Sequence, residues 1–340
     1  EQMATYIPEF VEGIKRFAAE KNIHYDLIHS HYWMSGIAAL ELRQKWHVPV
    51  AHMFHTLVMM KNSVVQSPAE LEGSYRLEGE QRILREADCI IAATPAEKGQ
   101  LETLYQADTS RLTIIPPGVD VSRFYPIPPD EAKAFVGTPA NERMILFVGR
   151  IEPLKGVETL IRALAQMRHR GVTCQLPHYL TVIGGDPAVD RRKMNAEMAR
   201  LQRLCCELGV SDLVLFVGKR DQDILPYYYS AAELLVMPSH YESFGLVALE
   251  SMACGTPVVA SRVGGLAFLI QDGLNGYSVP DGDVDALSER ITFLLQNPQQ
   301  RADLGRQANA YAHDFSWEKI ARRITALYRK LISPAAVLIE

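Results

Sequence analysis

Short runs of apolar and β-branched residues alternate along this chain with longer stretches whose apolar positions recur every three or four residues. That alternation predicts parallel strands covered by helices, an α/β layer architecture. In the first part, strands are expected at 26–29, 48–52, 89–93 and 112–115, with helices at 36–46, 70–87 and 96–105. Residues 122–141 are rich in proline and hold no period beyond a short helix near Asp130, so they read as a linker. A second set of strands follows at 144–148, 179–183, 214–217, 234–237, 258–260 and 276–279, with closing helices at 283–295, 300–313 and 317–331. The expected fold is two doubly wound, Rossmann-like domains, residues 1–137 and 138–315, with 316–340 as a terminal helix. Two such domains in series place a ligand in the cleft that faces the carboxyl ends of their strands.

Composition narrows the function. The chain has 340 residues, 48% hydrophobic and 22% charged, more than one core usually supports. A net charge of −5 gives no basic footprint for nucleic acid, so small-molecule partners are expected; no feature bears on oligomeric state. No apolar run approaches the length of a membrane span. Five cysteines, two of them adjacent (Cys205 and Cys206), lack metal-ligand spacing and fit reduced thiols in a cytoplasmic protein.

Two segments carry chemistry. In the first, a strand ends at Val148, Gly149 permits a tight turn, and Arg150 and Lys155 precede an amphipathic helix. Two cations before a helix N-terminus concentrate positive potential suited to a diphosphate. The second runs from Pro238 to Ser261. A polar loop holding Glu242 leads to a helix starting near Phe244 and Gly245 and ending at Gly255, where Pro257 forbids continuation. Gly245 lets a ligand approach the amides of Phe244, Gly245 and Leu246. Glu242 and Glu250 are offset by eight residues, so one carboxylate can hold sugar hydroxyls and the other a ribose diol. Paired carboxylates also serve hydrolases, but the anion-binding groups around them favour a phosphorylated donor.

With this glutamate pair, Gly149, Arg150, Lys155 and the Gly264-Gly265 pair in place, the chain resembles the family-4 retaining glycosyltransferases over essentially its whole length. The resemblance implies a GT-B fold whose last helix crosses back to the first domain. It implies Arg150 and Lys155 as ligands of the donor diphosphate, Glu242 at the transferred sugar and Glu250 at the nucleotide ribose. Lys219 and Arg220 would border the base. A nucleoside-diphosphate sugar, a UDP-sugar in the first instance, would be co-substrate. No essential cofactor or metal is implied, since cations do its electrostatic work. Asp221 and Asp223 have metal-pair spacing but sit where a helix start favours acidic residues anyway.

For the acceptor, the resemblance places His55 beside the reacting sugar, with His31 also at a strand end. Thr56, Lys61 and Arg76 line up with positions that bind a phosphorylated acceptor in the subgroup that glycosylates inositol phosphate, and sucrose-phosphate synthases share the local pattern. Arg76 could equally form a surface salt bridge with Glu80 or Glu72 on its own helix. Family members begin with a strand and a glycine-rich loop, whereas the earliest strand expected here is 26–29, so the first domain is expected to be incomplete at its amino end. That departure leaves open a non-catalytic nucleotide-sugar-binding paralogue or regulatory subunit beside the enzyme.

Overall fold

The structure, a computed structural model, describes residues 2–64, 71, 73–185 and 196–333. They form two compact units. Unit 1 comprises the chain up to Pro117 and again from Glu318, and unit 2 spans Gly118–Trp317.

In unit 1, β1 (Ile28–His31), β2 (Val50–Met53), β3 (Cys89–Ala92) and β4 (Leu112–Ile114) form one parallel sheet in that order. Every residue of β2 and β3 is buried, as expected for strands covered on both faces. Helices Trp33–Trp46, Ser74–Glu86 and Pro95–Leu104 connect the strands. The second of these begins at Ser74 rather than at 70; residue 70 lies outside the described residues. The third starts with reciprocal capping. Thr94 Oγ1 accepts the Glu97 N–H at 3.0 Å, and the Glu97 carboxylate accepts the Ala93 N–H at 2.7 Å. A helix at Ile7–Glu20, which the strand-based reading passed over, buries Ile7, Val11 and Ala18 along one stripe.

Unit 2 has a six-stranded parallel sheet of β5 (Arg143–Val148), β6 (His178–Ile183), β7 (Val214–Gly218), β8 (Ala232–Met237), β9 (Val258–Ser261) and β10 (Gly276–Val279). Their order is β10-β9-β8-β5-β6-β7. The chain runs outward from β5 to β7 on one side, then returns to lay β8 on the other. The strand order therefore reverses between β5 and β8, the place where open α/β sheets bind ligands. The helix Val157–His169 locks β5 to the core by burying Val157, Leu160, Ile161, Leu164 and Met167, each worth roughly 2 kcal/mol.

The units divide about twenty residues earlier than the expected 137/138 boundary. Residues 118–137 pack on unit 2 instead of spanning a gap. The Ile127 N–H donates to Ser230 Oγ, Phe124 meets Tyr229 edge-on, and Lys133 Nζ, on the helix Pro129–Val136, pairs with Glu233 at 3.0 Å. A proline-rich composition conceals this packing because its anchors are single side chains with no period. The helix Trp317–Ile332 belongs to unit 1 after Trp317: Arg323 donates to the Ile114 carbonyl, and the Tyr328 hydroxyl lies 2.6 Å from His29 Nδ1. Among the described residues, no helix is long and apolar enough to cross a membrane.

His52, central in β2, is fully buried with Nδ1 2.8 Å from Ser30 Oγ and no partner for Nε2. Burial, aided by His31, His29 and His55, pushes its pKa down to about 3. A histidine so depressed costs nothing above its unfolded pKa near 6.5 and destabilises the fold progressively as pH falls toward 3. Glu97 has the opposite sign: burial raises its pKa to about 7, so its contribution is lost as pH rises from 4.5 through 7. His52→Asn should therefore flatten only the histidine component. Hydrogen exchange of the β2 amides should show the wild-type opening free energy falling by about 2 kcal/mol more than the variant's between pH 7 and pH 5. Parallel pH slopes would contradict a neutral buried His52.

Candidate functional site

Most residues expected at the donor lie in loops at the carboxyl ends of the unit 2 strands, and Glu250 lies on the helix that follows one of them. The loop after β5 carries Gly149, Arg150 and Lys155, and that after β8 carries Glu242. These loops meet at the strand reversal because backbone touches backbone. Gly156 has φ +64°, and a Cβ there would lie 1.9 Å from the Pro238 carbonyl oxygen; the His240 N–H donates to the Leu154 carbonyl at 2.9 Å. A side chain at 156 would wedge the loops apart. On the far side, Gly264 and Gly265 support Glu242. The Gly265 N–H donates to the Glu242 carbonyl at 2.8 Å, and a Cβ on Gly264 would fall 2.1 Å from that same oxygen.

Held in this way, Lys155 Nζ and Glu242 Oε2 form an ion pair at 2.6 Å, with both side chains largely buried. Each satisfies the other's charge, so an incoming anion and a polyol can exchange for partners of like chemistry. Arg150 is the exposed counterpart: 77% exposed, it pairs with Glu152 of its own loop at 2.8 Å, an exposed contact worth well under about 1 kcal/mol. The helix Leu246–Ala253 begins at Gly245, and its first amides have no acceptor within the helix. Phe244 is buried against Phe315, whereas Leu246 is exposed.

Glu250, on that helix, receives the Tyr229 hydroxyl at 2.8 Å. Burial raises its pKa, and the tyrosine hydrogen bond acts against the rise. Lys219 and Arg220 follow β7, two strands from the reversal; Arg220 Nε reaches the Tyr228 hydroxyl at 3.2 Å. Asp223 faces Arg123 at 3.3 Å.

Unit 1 gathers a second group at the ends of β1 and β2. His31 Nδ1 and His55 Nε2 lie 2.8 Å apart with stacked rings, so the N–H of one ring can donate to the bare nitrogen of the other. Burial lowers both pKa values, and His31 adds to the lowering at His55. Burial, with His31 and His55, brings the His29 pKa to about 4. Tyr32 and His55 both adopt positive φ, +70° and +64°, conformations that non-glycine residues hold only where their surroundings impose them.

Arg76 is only 4% exposed. Its Nη2 donates to both Oγ1 and the carbonyl of Thr56 at 2.9 Å, and its Nε donates to Glu80 at 2.8 Å. Glu80 is fully buried and also accepts from the Val58 N–H and the Tyr105 hydroxyl. The surface salt bridge that spacing allowed is thus a buried one, and it ties Arg76 to Thr56. Glu72 lies outside the described residues. Lys61 is half-buried on the helix Val58–Val64. Tyr229, Tyr105 and Tyr328, which orient these groups, carry no motif; each acts through one hydroxyl placed by tertiary packing.

Residues 129–311, more than half of the chain, match the family described as glycosyl transferases group 1, and residues 2–123 match glycosyltransferase family 4. The chain is a family-4 glycosyltransferase. It is 38% identical to a D-inositol 3-phosphate glycosyltransferase of Frankia alni over 99% of this chain and 82% of that protein. To D-inositol 3-phosphate glycosyltransferase 2 of Catenulispora acidiphila it is 40% identical, over 95% and 75%. Among solved structures it resembles sucrose-phosphate synthase from Thermosynechococcus elongatus, with TM-score 0.86 and 37% identity over 98% of this chain and 80% of that one. Anabaena HepE, solved in complex with UDP, shares the fold at TM-score 0.78 and 24% identity, over 94% and 82%. This glycosyltransferase therefore has the two parallel-sheet α/β domains of the GT-B fold.

Arg76→Ala would leave the Glu80 carboxylate buried without its cation. It should destabilise unit 1 by about 3–5 kcal/mol, measured as urea sensitivity of limited proteolysis. Arg76→Met with Glu80→Gln should recover much of that loss. Unchanged stability in the single variant would show that the ion pair is dispensable.

Proposed function

We propose that this glycosyltransferase transfers a hexose-type sugar with retention from a UDP-sugar to a hydroxyl of a phosphorylated polyol or sugar. Unit 2 is the donor domain and unit 1 the acceptor domain in this reading, and the reaction takes place in the cytoplasm between two small molecules. The observation that carries it is the Lys155–Glu242 pair at the strand reversal of unit 2, beside the amino end of the Leu246–Ala253 helix. There, Lys155, Arg150 and the amides of Phe244, Gly245 and Leu246 take the diphosphate and stabilise the charge that grows on it as it leaves. Gly149 keeps the loop close to that diphosphate. Released from Lys155, Glu242 accepts hydrogen bonds from the sugar, Glu250 holds the ribose diol, and Lys219 and Arg220 border the base.

The bond from the anomeric carbon to the diphosphate breaks while the acceptor oxygen bonds to the same face. The hydroxyl proton passes to a departing phosphate oxygen. His55, paired with His31, is assigned in this reading to the acceptor side of the reaction. Thr56 and Lys61 recognise the acceptor phosphate, with the buried Arg76 orienting Thr56, in keeping with the names of the inositol 3-phosphate glycosyltransferases and the sucrose-phosphate synthase that this chain resembles.

A thermal scan with UDP, GDP and ADP should show stabilisation by UDP that grows with ligand excess. Glu242→Gln should stay folded, melting somewhat lower because Lys155 loses its partner, and should lower kcat by about 100-fold or more in a sugar-transfer assay with inositol 3-phosphate or fructose 6-phosphate as acceptor. Absence of a shift with any nucleotide would overturn the donor site. Wild-type kcat in Glu242→Gln would remove Glu242 from the transition state.

A further inference from the structure

Tyr229 is fully buried at the end of the helix Leu225–Ala231, yet its one polar side-chain atom is spent on Glu250. Everything else about the residue is held in place. Its carbonyl accepts from Thr256 Oγ1 at 2.6 Å, and its ring meets Phe124 edge-on. The partner helix is anchored as firmly: Ser251 Oγ donates to the Thr256 carbonyl at 3.1 Å, and Asn309 donates to the Ala253 carbonyl at 2.6 Å. Two fixed backbones thus aim a phenol hydroxyl at one oxygen of the carboxylate, Oε2.

A carboxylate withdrawn from water tends to take up a proton unless a donor stabilises its charged form. Rotation about its side-chain bonds also blurs its direction unless one oxygen is pinned. The Tyr229 hydroxyl addresses both problems. With Oε2 engaged, Oε1 is the oxygen left to accept from neighbouring hydroxyls of a ligand.

We infer that Tyr229 is a positioning residue for Glu250 and, through it, sets the preference of the donor site for an intact ribose diol over a deoxyribose. The inference rests on the reading of Glu250 as the ribose ligand. A fully buried tyrosine at this distance has a specific role beyond packing because phenylalanine fills the same volume without donating.

The test is calorimetric titration of the full chain with UDP and with its 2′,3′-dideoxy analogue, or the corresponding pair for GDP or ADP if the thermal scan selects one of those. Wild type should bind the ribonucleotide about 10-fold or more tightly than the dideoxy form, the scale of one hydrogen bond to a charged group. Tyr229→Phe should lose most of that preference, with affinity for the dideoxy analogue nearly unchanged. A wild type indifferent to the two sugars would overturn the ribose reading of Glu250 itself. A wild-type preference that survives intact in Tyr229→Phe would leave that reading standing and overturn the positioning role. An equal loss for both ligands, the mark of a general packing effect, would also overturn it. Should Tyr229→Phe fail to fold around an unpartnered carboxylate, Glu250→Gln and the double variant Tyr229→Phe/Glu250→Gln replace it. The double variant should discriminate no less well than Glu250→Gln alone, and a further loss would refute action through Glu250.

Discussion

Gly156 and the carbonyl of Pro238 occupy space that no side chain could share. From that contact follows the closeness of the loops after β5 and β8, and from their closeness follows the pairing of Lys155 with Glu242. The Glu242 backbone is gripped from the opposite direction by Gly264 and Gly265. Three glycines thus bracket one glutamate, each present because main chain must reach main chain. The strand reversal of a doubly wound sheet opens a gap there, and these contacts decide how that gap is furnished.

The two units treat charge differently. In unit 2, Lys155 and Glu242 are largely dehydrated but paired, and Arg150 stays in solvent on a loop. Their charges are exchangeable. In unit 1, lost hydration lowers the pKa values of His29, His31, His52 and His55, with neighbouring histidines adding to the lowering at His29, His52 and His55, and the buried charge pair of Arg76 with Glu80 is sealed with Tyr105. Replacing such a pair's partners is costly because a lone buried charge has nowhere to go. Arg76 therefore acts on its surroundings mainly through the orientation it gives to Thr56 and through its place over the Tyr32 ring, 5.2 Å from the ring centre.

Most strands, and the helices between them, were legible because an α/β layer writes its elements in runs and stripes of apolar residues. The places of Arg150, Lys155 and Glu242 in loops that join a strand to a helix start, and of Glu250 within the helix that follows, were legible from the apolar pattern around them. What composition hid were contacts made by isolated side chains. The 118–137 segment lacks period yet is pinned through Ile127, Phe124 and Lys133. The burial of Arg76 could not be read from an i, i+4 spacing that fits a surface pair equally well. Tyr227, Tyr228 and Tyr229 form a run in which spacing alone gives no means of choosing the one that meets Glu250.

Unit 1 is discontinuous in sequence: its last helix joins it only after the whole of unit 2 has been made. The Tyr328 hydroxyl finds His29 across 299 residues of chain. On a ribosome adding roughly 5–20 residues each second, β1 to β4 wait ten seconds or more for the helix that covers them. During that interval the surface reserved for Ile320 and Tyr328 faces solvent and chaperones. Unit 2, continuous from Gly118 to Trp317, can complete its own core first. Unit 1 is therefore completed only by the helix Trp317–Ile332, so nonsense mutations within that helix should spare unit 2 while leaving unit 1 open to proteolysis.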